Sequence, residues 1–380
     1  MPLFEKIAII GLGLIGGSIA KAAKKNLVVS KISASNHSYK SIKYAIEHNI
    51  IDEGFIDPES AVIDADMVIL CTPIGSYAEI IDKISPKLKK GAIITDVGSV
   101  KSYVIESVLP LLDGEQKKHF IPGHPIAGSE KSGVEASSGD LYVGKQQLLT
   151  PLEFLDKASV EKVKQFWEKI GAVVSLIDAN EHDRIYAASS HVPHLISFCY
   201  ANLLYKLPKD VFESILKENN REFKKFLRLT GSNAKMWSDI FIYNKEAILE
   251  IVSENFSFSD INDFNYIEKL DKSRSRRGSL GGFSDCKNYS KDVLPYMDFL
   301  PHIIACKIIE SVDDFSHVGA GFLGVTEIIF SDISTHYEEE LIQKIKGEIK
   351  LITDYITRSD SVEIIKYIGN STEVYDKFCK

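Results

Sequence analysis

The sequence predicts an α/β fold in which a doubly wound parallel sheet is followed by an all-helical region. Short apolar runs alternate with helical segments in the first half of the chain, a pattern typical of parallel strands joined by helices. These runs lie at 6–10, 67–70, 92–95, 120–121, 147–149 and 172–177. After Asp178 the remaining segments have mostly helical spacing, which predicts a second part built from helices.

Each segment of the first part has the composition of its predicted element. Residues 6–10 (KIAII) are continuously apolar after Lys6 and are followed by a glycine, as in a strand buried on both faces. Residues 14–25 then carry small and apolar side chains at helical spacing. Further helices are predicted at 38–48, 76–88 and 156–170. Because these helices fall between successive strands, the first part of the chain is predicted to form a single domain.

The region after Asp178 is predicted to be helical at 182–206, 210–228, 234–256 and 259–272. Pro193 lies within the first of these helices and should kink it or redirect its first turns, because proline has no N–H to donate. A basic run followed by a Gly/Ser/Asp/Asn-rich stretch, at 272–291, is interpreted as a linker. The tail beyond it has its strongest helical pattern at 337–357.

A chain of 380 residues is too long for one ordinary core, so we divide it into three domains. The α/β domain is placed at 1–178 and a helical domain at 179–290. Residues 291–380 form either a helical extension of that domain or a regulatory module. The helical pattern of the tail favours the extension.

Composition and charge exclude several classes of protein. The net charge of −8 argues against general nucleic-acid binding, since contacts with phosphates need a positive field. The five cysteines are scattered and fit free thiols in a reducing compartment rather than a zinc site. No signal peptide precedes the first apolar run, and no stretch reaches the ~18 apolar residues of a membrane span. We therefore expect a cytoplasmic protein without a membrane partner.

A glycine turn lies between the first predicted strand and its helix. The GxGxxG spacing of residues 11–16, in this strand–helix context, indicates a Rossmann-type dinucleotide-binding domain. Gly11 would permit the tight turn, Gly13 would let the backbone approach the pyrophosphate, and Gly16 would allow close packing of helix on strand. The amide groups at the helix start would face the phosphates. The residues expected to bind the dinucleotide are Gly11, Gly13, Leu14, Ile15, Gly16, Asn36, Thr72 and Pro73.

Asn36 occupies the position at which an acidic residue normally binds the ribose hydroxyls of NAD. Without a carboxylate there, the repulsion of a 2′-phosphate is removed, and His37 or Lys40 could pair with that phosphate. Alternatively, Asn36 simply hydrogen-bonds the ribose of NAD. The expected cofactor is therefore NAD or NADP.

Two polar, glycine-rich segments follow consecutive predicted strands. Residues 96–101 (DVGSVK) follow the run at 92–95, and residues 123–133 (GHPIAGSEKSG) follow the run at 120–121. Ligands of open α/β sheets bind at the carboxyl ends of the strands, so both segments should line one crevice. His124, predicted to lie in a loop beside the cofactor, is then better placed for chemistry than a packed or surface histidine.

Four motifs together resemble those of the prephenate/arogenate (cyclohexadienyl) dehydrogenase family. They are GLGLIGGS at 11–18, DVGSVK at 96–101, GHPIAGSEKSGVE at 123–135 and SHVPHL at 190–195. The resemblance covers roughly residues 5–260 and implies oxidative decarboxylation of prephenate, or of arogenate, with NAD(P) on the route to tyrosine. Helical second domains of this kind usually pack against a partner subunit, so we expect a homodimer.

The resemblance also implies roles for individual residues. His124 matches the histidine that accepts the proton of the substrate's ring hydroxyl, and Ser99 matches the serine that hydrogen-bonds the same hydroxyl. Glu130 matches an acidic residue that helps to organise the site, and His194 matches a histidine at the substrate entrance. Arg228 matches the arginine that pairs with a substrate carboxylate.

These residue types suit the chemistry. Removing the hydroxyl proton as the hydride leaves avoids a protonated carbonyl, and a neutral histidine with a pKa of about 6.5 suits that step near neutral pH. Prephenate carries two carboxylates, and an arginine such as Arg228 offers a bidentate fork that lysine lacks.

Two other functions are compatible with the predicted fold. A β-hydroxyacid dehydrogenase shares the glycine turn and a helical second domain, but it would use a catalytic lysine and lacks the segment around His124. A non-catalytic cofactor-sensing protein would not need His124, Ser99 or Arg228. His191 and His194 lie three residues apart, but no carboxylate or third histidine is near them in sequence, so no metal site is predicted.

Overall fold

The computed structural model describes residues 2–128, 131–217, 227–255 and 335–379. The chain forms two compact units, Met1–Asp183 and Arg184–Lys380. The domain limits placed at 178 and 290 stay predictions, and the second of them lies outside the described residues. Among the helices described, none is long and apolar enough to cross a membrane.

The first unit is built on a parallel sheet, with six strands in the part of the chain that is described. In chain order these are β1 (Phe4–Ile10), β2 (Val29–Ser35), β3 (Glu53–Phe55), β4 (Met67–Leu70), β5 (Ile93–Asp96) and β6 (Phe120–Ile121). Their spatial order is β3-β2-β1-β4-β5-β6, and each neighbouring pair is parallel. The order reverses between β1 and β4, the point at which open sheets of this kind bind ligands. The predicted doubly wound fold is confirmed.

Helices follow most of these strands. They are α1 (Leu14–Lys25), α2 (Tyr39–Glu47), α3 (Pro58–Ala61), α4 (Tyr77–Ile84), α5 (Lys101–Val108) and, further along, α6 (Lys157–Lys169). Of these, α1, α2, α4 and α6 fall in segments where the apolar spacing predicts a helix. Ser38, Asp57 and Asp156 begin α2, α3 and α6, each accepting a hydrogen bond from the backbone N–H three residues later. Strand β4 is buried along its whole length, which explains its continuous apolar sequence.

Three further strands form a second sheet. They are β7 (Gly123–Pro125), β8 (Gln146–Leu149) and β9 (Val173–Leu176), with β7 antiparallel to β8 and β8 parallel to β9. His124 lies in β7 opposite Leu148. The prediction of a loop at His124 was therefore wrong, because a three-residue strand flanked by glycine and proline has no alternating pattern from which to recognise it.

The second unit is helical in the residues described. Helix α7 (Ala179–Tyr186) contains the boundary between the units. It is followed by α8 (Val192–Tyr205), α9 (Lys209–Lys217), α10 (Ala234–Tyr243), α11 (Lys245–Asn255), α12 (Thr335–Thr357) and α13 (Ser361–Cys379). The helix predicted at 259–272 and the linker predicted at 272–291 lie outside the described residues.

Two interruptions distinguish these helices from their predicted spans. A π-helical turn, Ala187–His191, precedes Pro193. Because proline has no N–H and its ring crowds the carbonyl group four residues earlier, a wider turn is expected there. The helix predicted at 234–256 is broken at Asn244, whose Nδ2 donates to Nδ1 of His191 over 2.9 Å. Such a tertiary contact leaves no trace in local periodicity.

The C-terminal helices α12 and α13 pack against α8. The buried side chain of Asn202 in α8 donates through Nδ2 to the carbonyl oxygen of Tyr367 (2.9 Å) and to Oγ of Ser371 (2.6 Å). The Tyr367 hydroxyl in turn donates to Glu348 over 2.8 Å, and Glu348 also pairs with Lys206. The helical C-terminal extension of the predicted fold class is thus confirmed.

Candidate active site

The glycine turn leaves β1 where the strand order reverses. Gly11 has φ +107°, a conformation that L side chains rarely adopt, and a Cβ there would lie 2.8 Å from the backbone of Cys71. A Cβ at Gly16 would lie 2.1 Å from the carbonyl oxygen of Gly11 and 2.9 Å from the side chain of Ile9. Both positions therefore need glycine for α1 to pack closely on β1.

Gly13 differs from its neighbours because no described protein atom lies within 4 Å of its Cβ position. It is the N-cap of α1, and the amide groups of Leu14, Ile15 and Gly16 behind it have no partner within the helix. Open space in front of the amide groups at a helix start suits an anionic phosphate. The turn therefore fits the pyrophosphate of a dinucleotide.

Other predicted cofactor residues lie beside this turn. The amide of Gly11 donates to the carbonyl of Ser35 at the end of β2, over 2.9 Å. The backbone N–H of Asn36, the next residue, donates to the carbonyl of Phe55 over 3.1 Å. Thr72, followed by the exposed Pro73, has its methyl group 3.0 Å from the Cβ position of Gly11. The structure thus brings the ends of β1, β2 and β4 together.

The surroundings of Asn36 accommodate either cofactor. Asn36 is half-buried, whereas His37 and Lys40 are exposed. The first turn of α2 carries no acidic residue. A 2′-phosphate would therefore meet no carboxylate in that turn, and a ribose hydroxyl could still be bound by the Asn36 amide.

A buried ion pair joins the segments that follow β5 and β6. Nζ of Lys101 lies 2.5 Å from Oδ2 of Asp96 and donates to the carbonyl of Gly123 over 2.7 Å. Oδ1 of Asp96 accepts from the amide of Gly123 over 3.0 Å. Removing one charge would leave the other buried and unpaired, which typically costs ~3–5 kcal/mol. The pair therefore holds the loop that contains Ser99 against the strand that contains His124.

His124 takes part in a series of hydrogen-bonded side chains that ends in α7. Nδ1 of His124 lies 2.9 Å from Nε2 of His182, and Nδ1 of His182 lies 2.8 Å from Oδ1 of Asp183. The Asp183 carboxylate also accepts the backbone N–H groups of Lys101 (2.7 Å) and Ser102 (2.8 Å) at the start of α5. One carboxylate thus contacts both the histidine pair and the helix that follows Ser99.

Burial and hydrogen bonding determine the protonation states of His182 and Asp183. Burial lowers the pKa of His182 by more than its bond to Asp183 raises it. Burial would raise the pKa of Asp183, but the hydrogen bonds from His182 and from the two backbone N–H groups outweigh it and hold that pKa below its usual value. At neutral pH His182 is therefore a neutral imidazole and Asp183 a carboxylate anion.

The predicted catalytic and substrate-binding residues fall into both units. Ser99 and His124 are half-buried in the first unit, where the Asp96–Lys101 pair links their segments. Glu130 lies outside the described residues. His194 and Arg228 belong to the second unit, where α8 contacts the 3₁₀ turn Arg228–Gly231.

Within the second unit, the ring of His194 stacks on that of Trp237, with 3.8 Å between centroids, and its Nδ1 donates to the carbonyl of Ser190 over 2.8 Å. Burial lowers the pKa of His194 to about 4, so the ring is neutral at physiological pH. Arg228 is exposed. Among the described residues, no cluster of three or more His, Cys, Asp or Glu side chains is placed to hold a metal ion.

Sequence reasoning missed His182 and Asp183 and gave Lys101 no role. The only available signal was a His-Asp pair at the start of a helix that follows a predicted strand. Nothing in the spacing indicates that His182 meets His124, which lies 58 residues earlier in the chain.

Comparison with known proteins divides the chain a few residues before the boundary between the two units. A family model described as prephenate dehydrogenase, nucleotide-binding domain, matches residues 19–176, and one described as prephenate dehydrogenase, dimerization domain, matches residues 178–267. The cyclohexadienyl dehydrogenase of Zymomonas mobilis is 32% identical over 252 residues, which are 66% of this chain and 85% of that protein. The chain belongs to the prephenate dehydrogenase family.

Other members of the prephenate dehydrogenase family are similarly close. The prephenate dehydrogenase of Bacillus subtilis is 30% identical over 306 residues, 78% of this chain and 76% of that protein. A structure of the A. aeolicus prephenate dehydrogenase in complex with hydroxyphenyl propionate and NAD⁺ is 34% identical, with a TM-score of 0.62 over 72% of this chain and 92% of that one. Synechocystis arogenate dehydrogenase is 27% identical, with a TM-score of 0.56 over 71% of this chain and 92% of that one.

These matches confirm the resemblance that the four sequence motifs indicate. The chain is an NAD(P)-dependent dehydrogenase, with a nucleotide-binding domain followed by a helical region that matches a dimerization domain. The β-hydroxyacid dehydrogenase and the non-catalytic sensor considered from the sequence have less support than this family.

Proposed function

We propose that the chain catalyses the NAD(P)-dependent oxidative decarboxylation of prephenate to 4-hydroxyphenylpyruvate in tyrosine biosynthesis. The observation that best supports this reaction is the placement of His124. Its ring is anchored through Nδ1 to His182, within the same compact unit as the glycine turn. Arogenate, which would give tyrosine directly, is the alternative substrate, since one structural relative is an arogenate dehydrogenase.

In the proposed reaction, His124 accepts the proton of the substrate's ring hydroxyl as the carbon that bears this group loses its hydride. General bases of this kind contribute ~10²–10⁴-fold to rates. Ser99 hydrogen-bonds the same hydroxyl. The bound dinucleotide supplies the hydride acceptor. Loss of carbon dioxide leaves an aromatic ring, so that step needs no separate catalyst.

The remaining residues are proposed to bind and orient the substrate. Arg228 is exposed and offers a planar fork for a substrate carboxylate. His194 is kept neutral by burial, so its contribution is a hydrogen bond or a packing contact rather than a charge. Glu130 is proposed to organise the site.

The proposal includes an assembly and a location. We propose a cytoplasmic homodimer, supported by the match of residues 178–267 to a dimerization domain. The proposed domain limits are 1–178 for the dinucleotide-binding domain, 179–290 for the helical domain and 291–380 for the C-terminal extension.

The test is an absorbance assay at the NADH band with four substrate pairs, namely prephenate and arogenate each with NAD and with NADP. We expect turnover with prephenate and at least one of the two cofactors. Turnover with arogenate but not with prephenate would show that arogenate is the substrate. No turnover with any pair would contradict the proposed function.

A further inference from the structure

The structure assigns His182 and Asp183 as positioning residues that orient His124 and determine which of its ring nitrogens carries the proton. Neither residue belongs to the four motifs on which the family resemblance depends. The assignment deepens the proposed function and rests on it, because it concerns the base that this function requires.

The direction of each hydrogen bond follows from the carboxylate. An ionised carboxylate can only accept hydrogen bonds, so the proton between Asp183 and His182 belongs to Nδ1 of His182. A neutral His182 then presents an unprotonated Nε2, which accepts a hydrogen bond from Nδ1–H of His124 over 2.9 Å. The proton of a neutral His124 is therefore on Nδ1, and its Nε2 is the basic nitrogen.

The same arrangement stabilises His124 after it has accepted a proton. The charged groups that face His182 are Asp183 on its own helix, Lys101 from α5 and Asp96 from β5. Lys101 and Asp96 form a buried ion pair with each other, so their opposite charges largely cancel. The Asp183 anion is left to favour the imidazolium form of His124 through His182.

The burial of His182 argues against an incidental contact. Its side chain is fully buried, and both ring nitrogens have polar partners. A role limited to capping α5 would need only the two hydrogen bonds that Asp183 accepts from the backbone of Lys101 and Ser102. It would not need a histidine between that carboxylate and His124.

Steady-state kinetics of Asp183→Asn and His182→Leu test the assignment. We expect kcat to fall by roughly 10- to 1000-fold, as for other residues that orient a catalytic histidine. The KM values for prephenate and for the dinucleotide should change little. In Asp183→Asn the acidic limb of the kcat/KM profile should move to lower pH, because protonated His124 loses a nearby anion. His182→Gln keeps a side-chain acceptor and should recover part of the activity lost in His182→Leu.

Asp156→Asn is the matched control, because Asp156 caps α6 of the same unit through the amide and hydroxyl of Ser159. It should lower stability without changing kcat or the pH profile. If Asp183→Asn, like Asp156→Asn, leaves kcat and the pH profile unchanged, Asp183 is only a helix cap and the assignment is wrong.

A second measurement does not depend on turnover. Ring-nitrogen NMR shifts of the unsubstituted protein, assigned by comparison with His182→Gln, should show both His124 and His182 protonated at Nδ1. Protonation of neutral His124 at Nε2 would overturn the assignment. Failure of the proposed function has a different signature, since the unsubstituted protein would then turn over no substrate pair.

Discussion

At the scale of single residues, substitutions of His124 and Arg228 should change different kinetic constants. His124→Asn removes the proposed base and should lose ~3–5 kcal/mol of transition-state stabilisation, seen in kcat with KM largely kept. Arg228→Gln removes a charged hydrogen-bonding fork and should raise KM for the substrate by ~10- to 100-fold, the equivalent of ~1.5–3 kcal/mol. Initial rates over a range of substrate concentrations separate the two effects.

Exposed residues of the same types provide controls. His48→Asn and Arg358→Gln change an exposed histidine and an exposed arginine, one in each unit, and should leave both constants unchanged. A rise in KM alone for His124→Asn would make His124 a binding residue. An unchanged KM for Arg228→Gln would show that Arg228 does not bind a substrate carboxylate.

The low pKa of His194 predicts a loss of stability in acid. In the folded protein this pKa is about 4, whereas an unfolded histidine titrates near its ordinary value. The unfolded chain therefore binds more protons as the pH falls through the region between these values, and stability decreases. From about pH 7.5 to pH 5, His194 should account for a loss of about 2 kcal/mol in the free energy of unfolding.

Urea unfolding of the protein and of His194→Phe at both pH values measures this contribution. Phenylalanine can stack on Trp237 but does not titrate, so the variant should lose less stability in acid. His182, whose pKa is also lowered, contributes in the same direction in both proteins and does not affect the difference. Equal losses in the two proteins would show that His194 titrates normally.

At the scale of elements, different glycines of the turn at 11–16 serve helix packing and dinucleotide binding. Gly16→Ala would push a methyl group into the backbone of Gly11 and should destabilise the protein by ~1–3 kcal/mol. Gly13→Ala meets no described protein atom, so it should leave stability nearly unchanged and weaken dinucleotide binding. Gly114→Ala, at an exposed glycine with open space, is the control for both.

Urea unfolding and NADH fluorescence titration distinguish these outcomes. If Gly13→Ala binds the dinucleotide as well as the unsubstituted protein does, the pyrophosphate does not approach that position. If Gly16→Ala is as stable as Gly114→Ala, the close approach of α1 to β1 is not required for folding.

At the scale of the whole molecule, the proposed homodimer has a direct test. Light scattering coupled to size-exclusion chromatography should give about twice the chain mass of 42.4 kDa, because helical domains of this kind bury apolar faces against a partner. A single species of the chain mass at micromolar concentration would contradict the dimer.

The C-terminal helices α12 and α13 pack on α8, so truncation before α12 should expose the apolar surface that they cover.

What the sequence determined by itself concerns local steric and packing requirements. Gly11 and Gly16 are needed wherever a strand turns sharply into a helix, and the apolar runs of β1 and β4 result from burial on both faces. The fold class and the family were therefore predictable. The strand at His124 and the break at Asn244 were not, because both depend on partners distant in sequence.

Only the tertiary structure decided how His124 is held. Its contact with His182 joins residues 58 positions apart, and the Asp183 carboxylate meets α5 across an even longer separation of 82. Hydrogen bonds of this kind depend on how β7, α5 and α7 pack together, and no periodicity or motif encodes that packing. The sequence motifs identified the candidate base, whereas the fold decided which of its nitrogens is basic.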